Sequence, residues 1–447
     1  DGSLIGPLAA GVPGSPAGLF ELHRRLGKLP WRAVVAPALR LARAGFVVPR
    51  RLEEAITAER KLLVGFPETA AVWLPGGQPP AAGSLMRLPK LADALAAYAS
   101  EGPAGLTGGE LARAVEASSR AHGGMLTARD LAQYRPEWRA PVRFAAFGWE
   151  VAAMPLPSSG GIILAQSARM LETLGWASLP RGGAQRAHLL AEVWRRAFAD
   201  RYLLGDPGSA LAGPRELLDP SWLARRAAEI DPGKASSSRA VASWPGAPAA
   251  EKPETTHLSV VDGAGNAVAV TTTLNGRFGC GLLVGAAGYL LNNEMDDFAT
   301  ARGRPNLWGL IQGEANAVAP GKRPLSSMSP TIAWRGAELV ALGSPGGSHI
   351  PTATLQVLLN LILDGDSLQA AIDRPRLHHQ WLPDELIGEA DARSPETDAE
   401  LRRRGHTTRQ VRNLGEVHAV RASGGVVEAA ADPRGPGAAG VVSPAPG

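Results

Sequence analysis

Thr255 and Thr256 stand side by side in "PETTHLSVVD", between a stretch rich in Pro, Ala and Ser and a run of β-branched residues. A neutral threonine hydroxyl is a weak nucleophile and needs a base beside it. The α-amine of the same residue can serve if that threonine begins a chain. An α-amine has an unperturbed pKa of roughly 7.7 to 8.0, so a useful fraction is free base near neutrality. Cutting the Glu254–Thr255 peptide bond would supply that amine at the head of a strand. Read alone, the pair is more simply two β-branched residues opening a strand, one hydroxyl capping a turn.

Three other groups carry complementary chemistry. In "LGSPGGS" (Leu342 to Ser348) a Gly-rich turn lies between a strand pattern and a helix pattern, where backbone N–H groups can converge on a developing oxyanion. In "KRPLSSMSPT" the paired hydroxyls of Ser326 and Ser327 suit a carboxylate, or a plain turn. In "LLNNEMDDF" the acids Glu294, Asp296 and Asp297 suit an ammonium, or a surface turn.

The elements that must position these residues are readable from period and turn chemistry. "HLSVVDGAGNAVAVTTTLN" predicts a hairpin, with strands Leu258 to Val261 and Ala267 to Thr273 around the turn Asp262 to Asn266. A second strand pair follows in "TIAWRGAELVALGSPGG", with its turn at Arg335-Gly336, and "HIPTATLQVLLNLILDG" predicts a helix. Upstream the chain reads as helices punctuated by Gly and Pro. Pro37 should bend or end a segment within Leu29 to Phe46. "AQRAHLLAEVWRRAFADRYLLGDP" predicts an amphipathic helix packed on something flat. "DPGKASSSRAVASWPGAPAAEKPE" has linker composition and should be exposed and mobile.

Composition narrows the classes. Hydrophobic residues at 45% and charged residues at 20% fit a globular protein of 447 residues and exclude disordered and collagenous classes. The net charge of +4 comes from scattered arginines, with short clusters such as "LRRRG", which read as solvated helix faces. A small-molecule ligand is expected, and no nucleic acid. The single Cys280 excludes an internal disulfide, leaves a Cys-based zinc site without ligands, and reads as a small core residue. No apolar run approaches the roughly 18 residues of a membrane span, and the start shows no basic-then-apolar leader, so no membrane partner is expected. His378 and His379 should face opposite sides of a strand and serve structural roles. "SSGG" (Ser158 to Gly161) lacks the spacing of a nucleophile elbow and reads as a tight turn opening a helix.

Taken together, "TTHLSVVD", "TTTLN", "LLNNEMDDF", "RPLSSMSPT", "GSPGGS" and "PRLHHQWLPDEL" stand in the order found in the γ-glutamyltranspeptidase family of N-terminal nucleophile hydrolases. The resemblance extends upstream through "GVPGSPAGL", "APALRLARAGF", "GGMLTARDLAQY" and "PLPSSGGI", and so spans nearly the whole chain. It implies an α/β (α+β) fold, the four-layer αββα sandwich of this superfamily. A large-subunit segment 1–254 and a small-subunit segment 255–447 would build one composite domain and associate as a heterodimer after cleavage.

The resemblance also implies roles. Thr255 looks like the nucleophile freed by autocleavage after Glu254, Gly346 and Gly347 like the oxyanion hole, and Thr273 like a second threonine supporting the nucleophile. Asn275, Glu294 and Asp297 match positions that hold a γ-glutamyl α-amine, and Ser326 and Ser327 match positions near its α-carboxylate. Trp308 sits where bacterial members have an aromatic lid, which favours a γ-glutamyl enzyme over the lidless cephalosporin-acylase relatives. The implied substrate is a γ-glutamyl amide such as glutathione, the acceptor water, an amino acid or a dipeptide, with no metal or organic cofactor, in the periplasm or secreted. The chain departs from the family at its front, where members carry a core strand and a carboxylate-pairing arginine. Either the natural protein is longer or the pocket is altered, with Arg277 a candidate replacement. The alternatives are a glutaryl or cephalosporin-type acylase and an inactive, uncleaved fragment with a binding or structural role.

Overall fold

Val142–Ala146 (β1) and Trp149–Ala153 (β2) alternate buried and exposed residues, the period of a sheet with one face in a core. They pair with each other, and β2 then pairs with a strand nearly 180 residues later in the chain. The structure is a computed structural model, which describes residues 2–241, 255–300 and 305–442. The chain divides into two compact units, Asp1–Arg139 with Thr273–Asp296, and Ala140–Thr272 with Asp297–Gly447. Each unit takes chain from both sides of Thr255.

In the first unit, Trp31–Ala44 (α1) packs on Pro89–Glu101 (α2). The Trp31 indole donates to the Tyr98 carbonyl at 2.9 Å, and the two rings meet edge to face. Pro37 lies inside α1 without ending it. Burial of Val35 against Ala94 and Tyr98 offsets the backbone bond that a proline forfeits. The segment 273–296 contributes Cys280, Leu282, Val284, Ala287 and Leu291 to a core shared with Ala9, Ala10 and Val115, so Cys280 is the small core residue expected.

The second unit is built on a six-stranded antiparallel sheet. To β1 and β2 it adds Thr331–Arg335, Glu338–Gly343, His418–Ser423 and Val426–Ala430. With Thr256–Val261 as β3 and Ala267–Thr272 as β4, these four are β5 to β8, and the sheet order is β8-β7-β6-β5-β2-β1. The β5–β6 turn falls at Gly336 and Ala337, one residue later than its sequence suggests, because Arg335 still pairs with Glu338. The helices Gly160–Thr173 (α3), Ala184–Asp200 (α4) and His349–Ile362 (α5) pack together, α3 against β1 and β2 and α5 against β6. The β3–β4 hairpin is a separate two-stranded ribbon laid against β6, β7 and β5. This is the expected α+β sandwich, with a ribbon as its second sheet. Sheet-on-sheet contact is close because Gly343 has no side chain: a Cβ there would lie 2.3 Å from Cε1 of His257 on β3.

Two expectations change. From Arg186 to Asp200 every residue of α4 is buried, so it is an enclosed helix rather than one with a wet face. Its charges are tolerated because they are paired: Glu192 meets Arg196 at 2.8 Å and Arg195 at 3.1 Å, and Arg195 also reaches Asp384. Burial works to raise the Glu192 carboxyl, but Arg195, the Ser236 hydrogen bond and Arg196 together bring it to about 2. The same network pins the first part of the expected linker. Ser238 is fully buried, its N–H donates to Asp384 at 2.8 Å, and the Ser236 N–H donates to Glu192 at 3.1 Å. Among the described residues no helix is long and apolar enough to cross a membrane.

Candidate active site

Strand β6 runs out at Gly343 and α5 begins at His349, so Ser344 to Ser348 form the expected strand-to-helix turn. Gly346 has φ 130° and Gly347 φ 56°, backbone positions that suit glycine. Their carbonyls accept from the N–H groups of His349 and Ile350, which ties both to the positive end of α5. Trp308 lies directly on this turn: a Cβ on Gly347 would come 2.1 Å from Cε3 of its indole. The tryptophan is buried and held from behind, its carbonyl accepting from Gln380, whose side-chain oxygen in turn meets His378 at 2.9 Å. His378 also bonds Thr352, whereas His379 Nε2 lies 3.4 Å from Asp384, so the two histidines serve different structural partners.

Asp297 is buried in the same unit and approached by amides. Its carboxylate accepts from Asn306 at 3.1 Å, and its carbonyl from Gln312 at 3.1 Å and Asn316 at 2.6 Å. The Asn306 side-chain oxygen accepts from the N–H groups of Trp308 and Leu310, so one asparagine links the acid to the tryptophan turn. The Ser326–Ser327 loop is latched to the "SSGG" turn. The Ser326 carbonyl accepts from both the N–H and the hydroxyl of Ser159, and the Ser158 hydroxyl donates to the Met328 carbonyl at 2.6 Å. The turn does open α3, as its sequence suggests.

In the first unit, Thr273 and Asn275 are joined, the Asn275 N–H donating to the Thr273 hydroxyl at 2.8 Å. Asn275 is buried with φ 68° and donates its side chain to the Asn293 carbonyl at 3.0 Å. Glu294 opens a short 3-10 turn, its N–H held by Asn292 at 3.0 Å. Residues near the start of the chain fix this loop: Asn292 exchanges hydrogen bonds with Gly11, Asn293 donates to the Leu4 carbonyl, and Ser3 donates to Asp296. Arg277, the candidate carboxylate partner, is exposed.

Thr255 is partly buried and immediately precedes β3, where Thr256 pairs with Thr272. Glu254 lies outside the described residues. Two residues further along, His257 sits beneath the ribbon, bonded to Thr271 at 2.8 Å and Ser259 at 3.0 Å. Burial, reinforced by nearby His418, pushes its pKa down to about 3, so it stays neutral at ordinary pH. Strand β3, which begins next to Thr255, therefore packs on the strand that leads to Gly346 and Gly347.

Sequence reasoning missed the supporting residues: Asn306, Gln312 and Asn316 around Asp297, Gln380 behind Trp308, and the buried Arg201. The sequence carries no signal for these residues themselves; the nearest is "SSGG", on the turn that Arg201 touches, whose glycines permit close approach. A Cβ on Gly160 would meet the Ser329 hydroxyl at 2.1 Å, and one on Gly161 the Met154 carbonyl at 2.3 Å.

A threonine heading a ribbon packed on β6, and a glycine turn at a helix start at the end of β6, fit the class of N-terminal nucleophile hydrolases. The chain matches the gamma-glutamyltranspeptidase family over residues 1–442 and belongs to that family. It is 40% identical to the glutathione hydrolase proenzyme of Pseudomonas aeruginosa, over 99% of this chain and 79% of that protein. It is 39% identical to the glutathione hydrolase proenzyme of Escherichia coli, over 97% of this chain and 75% of the relative. Among solved structures it resembles a cephalosporin acylase from Bacillus halodurans, with a TM-score of 0.84 and 25% identity over 99% of this chain and 80% of that one.

Proposed function

We propose that the protein is a glutathione hydrolase and γ-glutamyltransferase that matures by cutting itself before Thr255. The observation that carries the reading is the Gly346–Gly347 turn at the start of α5, in a chain that belongs to the family along almost its full length. After cleavage the Thr255 α-amine takes the proton from its own hydroxyl, and Oγ attacks the γ-glutamyl carbonyl. The developing oxyanion is received by the N–H groups of Gly346 and Gly347, aided by the helix dipole. Collapse expels the amine and leaves a γ-glutamyl ester on Thr255. Water, an amino acid or a dipeptide then resolves the ester.

In this reading Asp297, Asn275 and Glu294 hold the α-ammonium, Ser326 and Ser327 receive the α-carboxylate, Thr273 supports the nucleophile, and Trp308 closes over the glycine turn. Asp297 is buried and its carboxylate accepts from the Asn306 amide, which supports its part by fixing the acid in place. The segments 1–254 and 255–447 stay together after cleavage as a heterodimer, and the protein works in the periplasm or outside the cell.

Intact mass and a pair of anilides test this. Two co-purifying species that sum to the chain plus one water, split after residue 254, with γ-glutamyl anilide cleaved in preference to glutaryl anilide, are the expected result. One uncut, inactive species would overturn the maturation step. The likeness to a cephalosporin acylase supports the second reading, an acylase, and a preference for the glutaryl compound would select it. Fractionation of the natural host tests the location.

A further inference from the structure

Arg201 is 3% exposed and follows α4 at the base of the second unit's loops. Its guanidinium donates in three directions to neutral oxygens on three segments: Nε to the Ser159 hydroxyl at 3.1 Å, Nη1 to Gln312 Oε1 at 2.8 Å, and Nη2 to the Leu325 carbonyl at 3.4 Å. Each acceptor is one step from a residue placed above in substrate recognition. Ser159 bonds the Ser326 carbonyl, Leu325 adjoins Ser326, and Gln312 donates to the Asp297 carbonyl. Asn316 closes the ring, joining the Asp297 carbonyl to the Leu325 N–H.

A buried guanidinium whose acceptors are neutral is costly unless a charge compensates it. Burial lowers its pKa to about 10, and the negative charge of Asp297 acts against that shift. A lysine would offer one ammonium on a flexible stem, whereas the planar fork of arginine reaches all three segments at fixed angles.

We infer that Arg201 is a positioning residue for substrate recognition: it sets the Asp297 turn and the Ser326–Ser327 loop at the spacing that lets one γ-glutamyl group engage both. This rests on the reading that those residues receive the substrate's ammonium and carboxylate. Arg201 is not placed at the reacting atoms, so self-cleavage and the chemical step should survive its replacement while recognition degrades.

The test uses three anilides on the mature enzyme: γ-glutamyl, glutaryl (no ammonium) and 4-aminobutyryl (no carboxylate). The wild type should prefer the first, and Arg201→Gln should still cleave itself. Its KM for γ-glutamyl anilide should rise about tenfold, the effect of a misaligned charge-assisted contact, with kcat little changed, and the kcat/KM spread among the three should narrow by a similar factor. Arg201→Lys should recover part of the spread. Ser159→Ala, which removes one acceptor of Arg201 and the hydroxyl half of the Ser326 latch, should narrow it in the same direction by about threefold, and it carries the test if Arg201→Gln fails to fold. A wild type that treats the three alike overturns the γ-glutamyl reading and the inference with it. A wild type that discriminates, beside folded variants that keep the full spread or lose only kcat, overturns the inference alone.

Discussion

Two hairpins of the second unit, β3–β4 and β5–β6, have nearly the same sequence texture and very different settings. In β5–β6 each strand is flanked by partners, and Val340, Ala341 and Leu342 are fully buried. In β3–β4 the strands pair, among the described residues, only with each other, and Leu258 and Val260 remain 49% exposed on the face turned away from the sheet. The buried hairpin delivers the glycine turn, whose donors must be preorganised to be useful. The ribbon delivers Thr255, next to the peptide bond proposed to be cut. On the proposed function, the difference teaches that oxyanion donors sit on fixed backbone and the residue proposed to cut the chain on the less enclosed element.

The sharpest way to break this comparison is Thr255→Ala. Both self-cleavage and turnover should vanish, and a denaturing gel should show one band. Two bands would remove Thr255 from maturation and the ribbon from the chemistry.

Next in size is the glycine turn. Gly347→Ala should lose roughly 100-fold or more in kcat, the scale of a displaced oxyanion donor, because its Cβ would run into Trp308 from a left-handed backbone. Gly336→Ala is the control. Its φ of 59° is nearly the same, but a Cβ there meets nothing within 4 Å. It should cost about 1 kcal/mol of stability with kcat unchanged. Equal losses of activity would show that backbone strain, not the site, is being read.

The hairpins, the Gly-rich turn and α5 were legible because each is set by local period and turn chemistry. What was not legible depended on distant partners. Ser236 and Ser238 look like linker until Glu192 and Asp384 are placed beside them, and Asp384 comes 146 residues after Ser238. The charges of α4 look like a wet face until Arg195 and Arg196 find those same acids. Pro37 looks like a break until α2 covers the helix. Arg201 gives no sequence signal, since three acceptors from three loops leave no spacing to recognise.

Core packing separates the hairpins less drastically. Leu342→Ala should cost about 2–5 kcal/mol, the usual range for emptying a buried leucine site, whereas Leu258→Thr should stay within about 0.5 kcal/mol. Denaturant midpoints measured under one condition would check both. A large cost at Leu258 would mean that the outer face of the ribbon is covered in solution, which would draw the two hairpins closer in character.

The most local effect is a pH dependence beneath the ribbon. His257 has its pKa pushed to about 3 by burial and by His418, against about 6.5 when unfolded. A depressed folded value means the unfolded chain binds the proton first. The contribution of this histidine is therefore fully present above pH 6.5 and is lost progressively as the pH falls toward 3. The local slope is at most about 1.4 kcal/mol per pH unit. His257→Asn, which keeps a polar group facing Thr271 and Ser259, should flatten the fall in Tm between pH 6 and pH 4 relative to wild type. An unchanged slope would mean the ring titrates freely, and that the ribbon is not seated against Gly343, where a side chain would have no room.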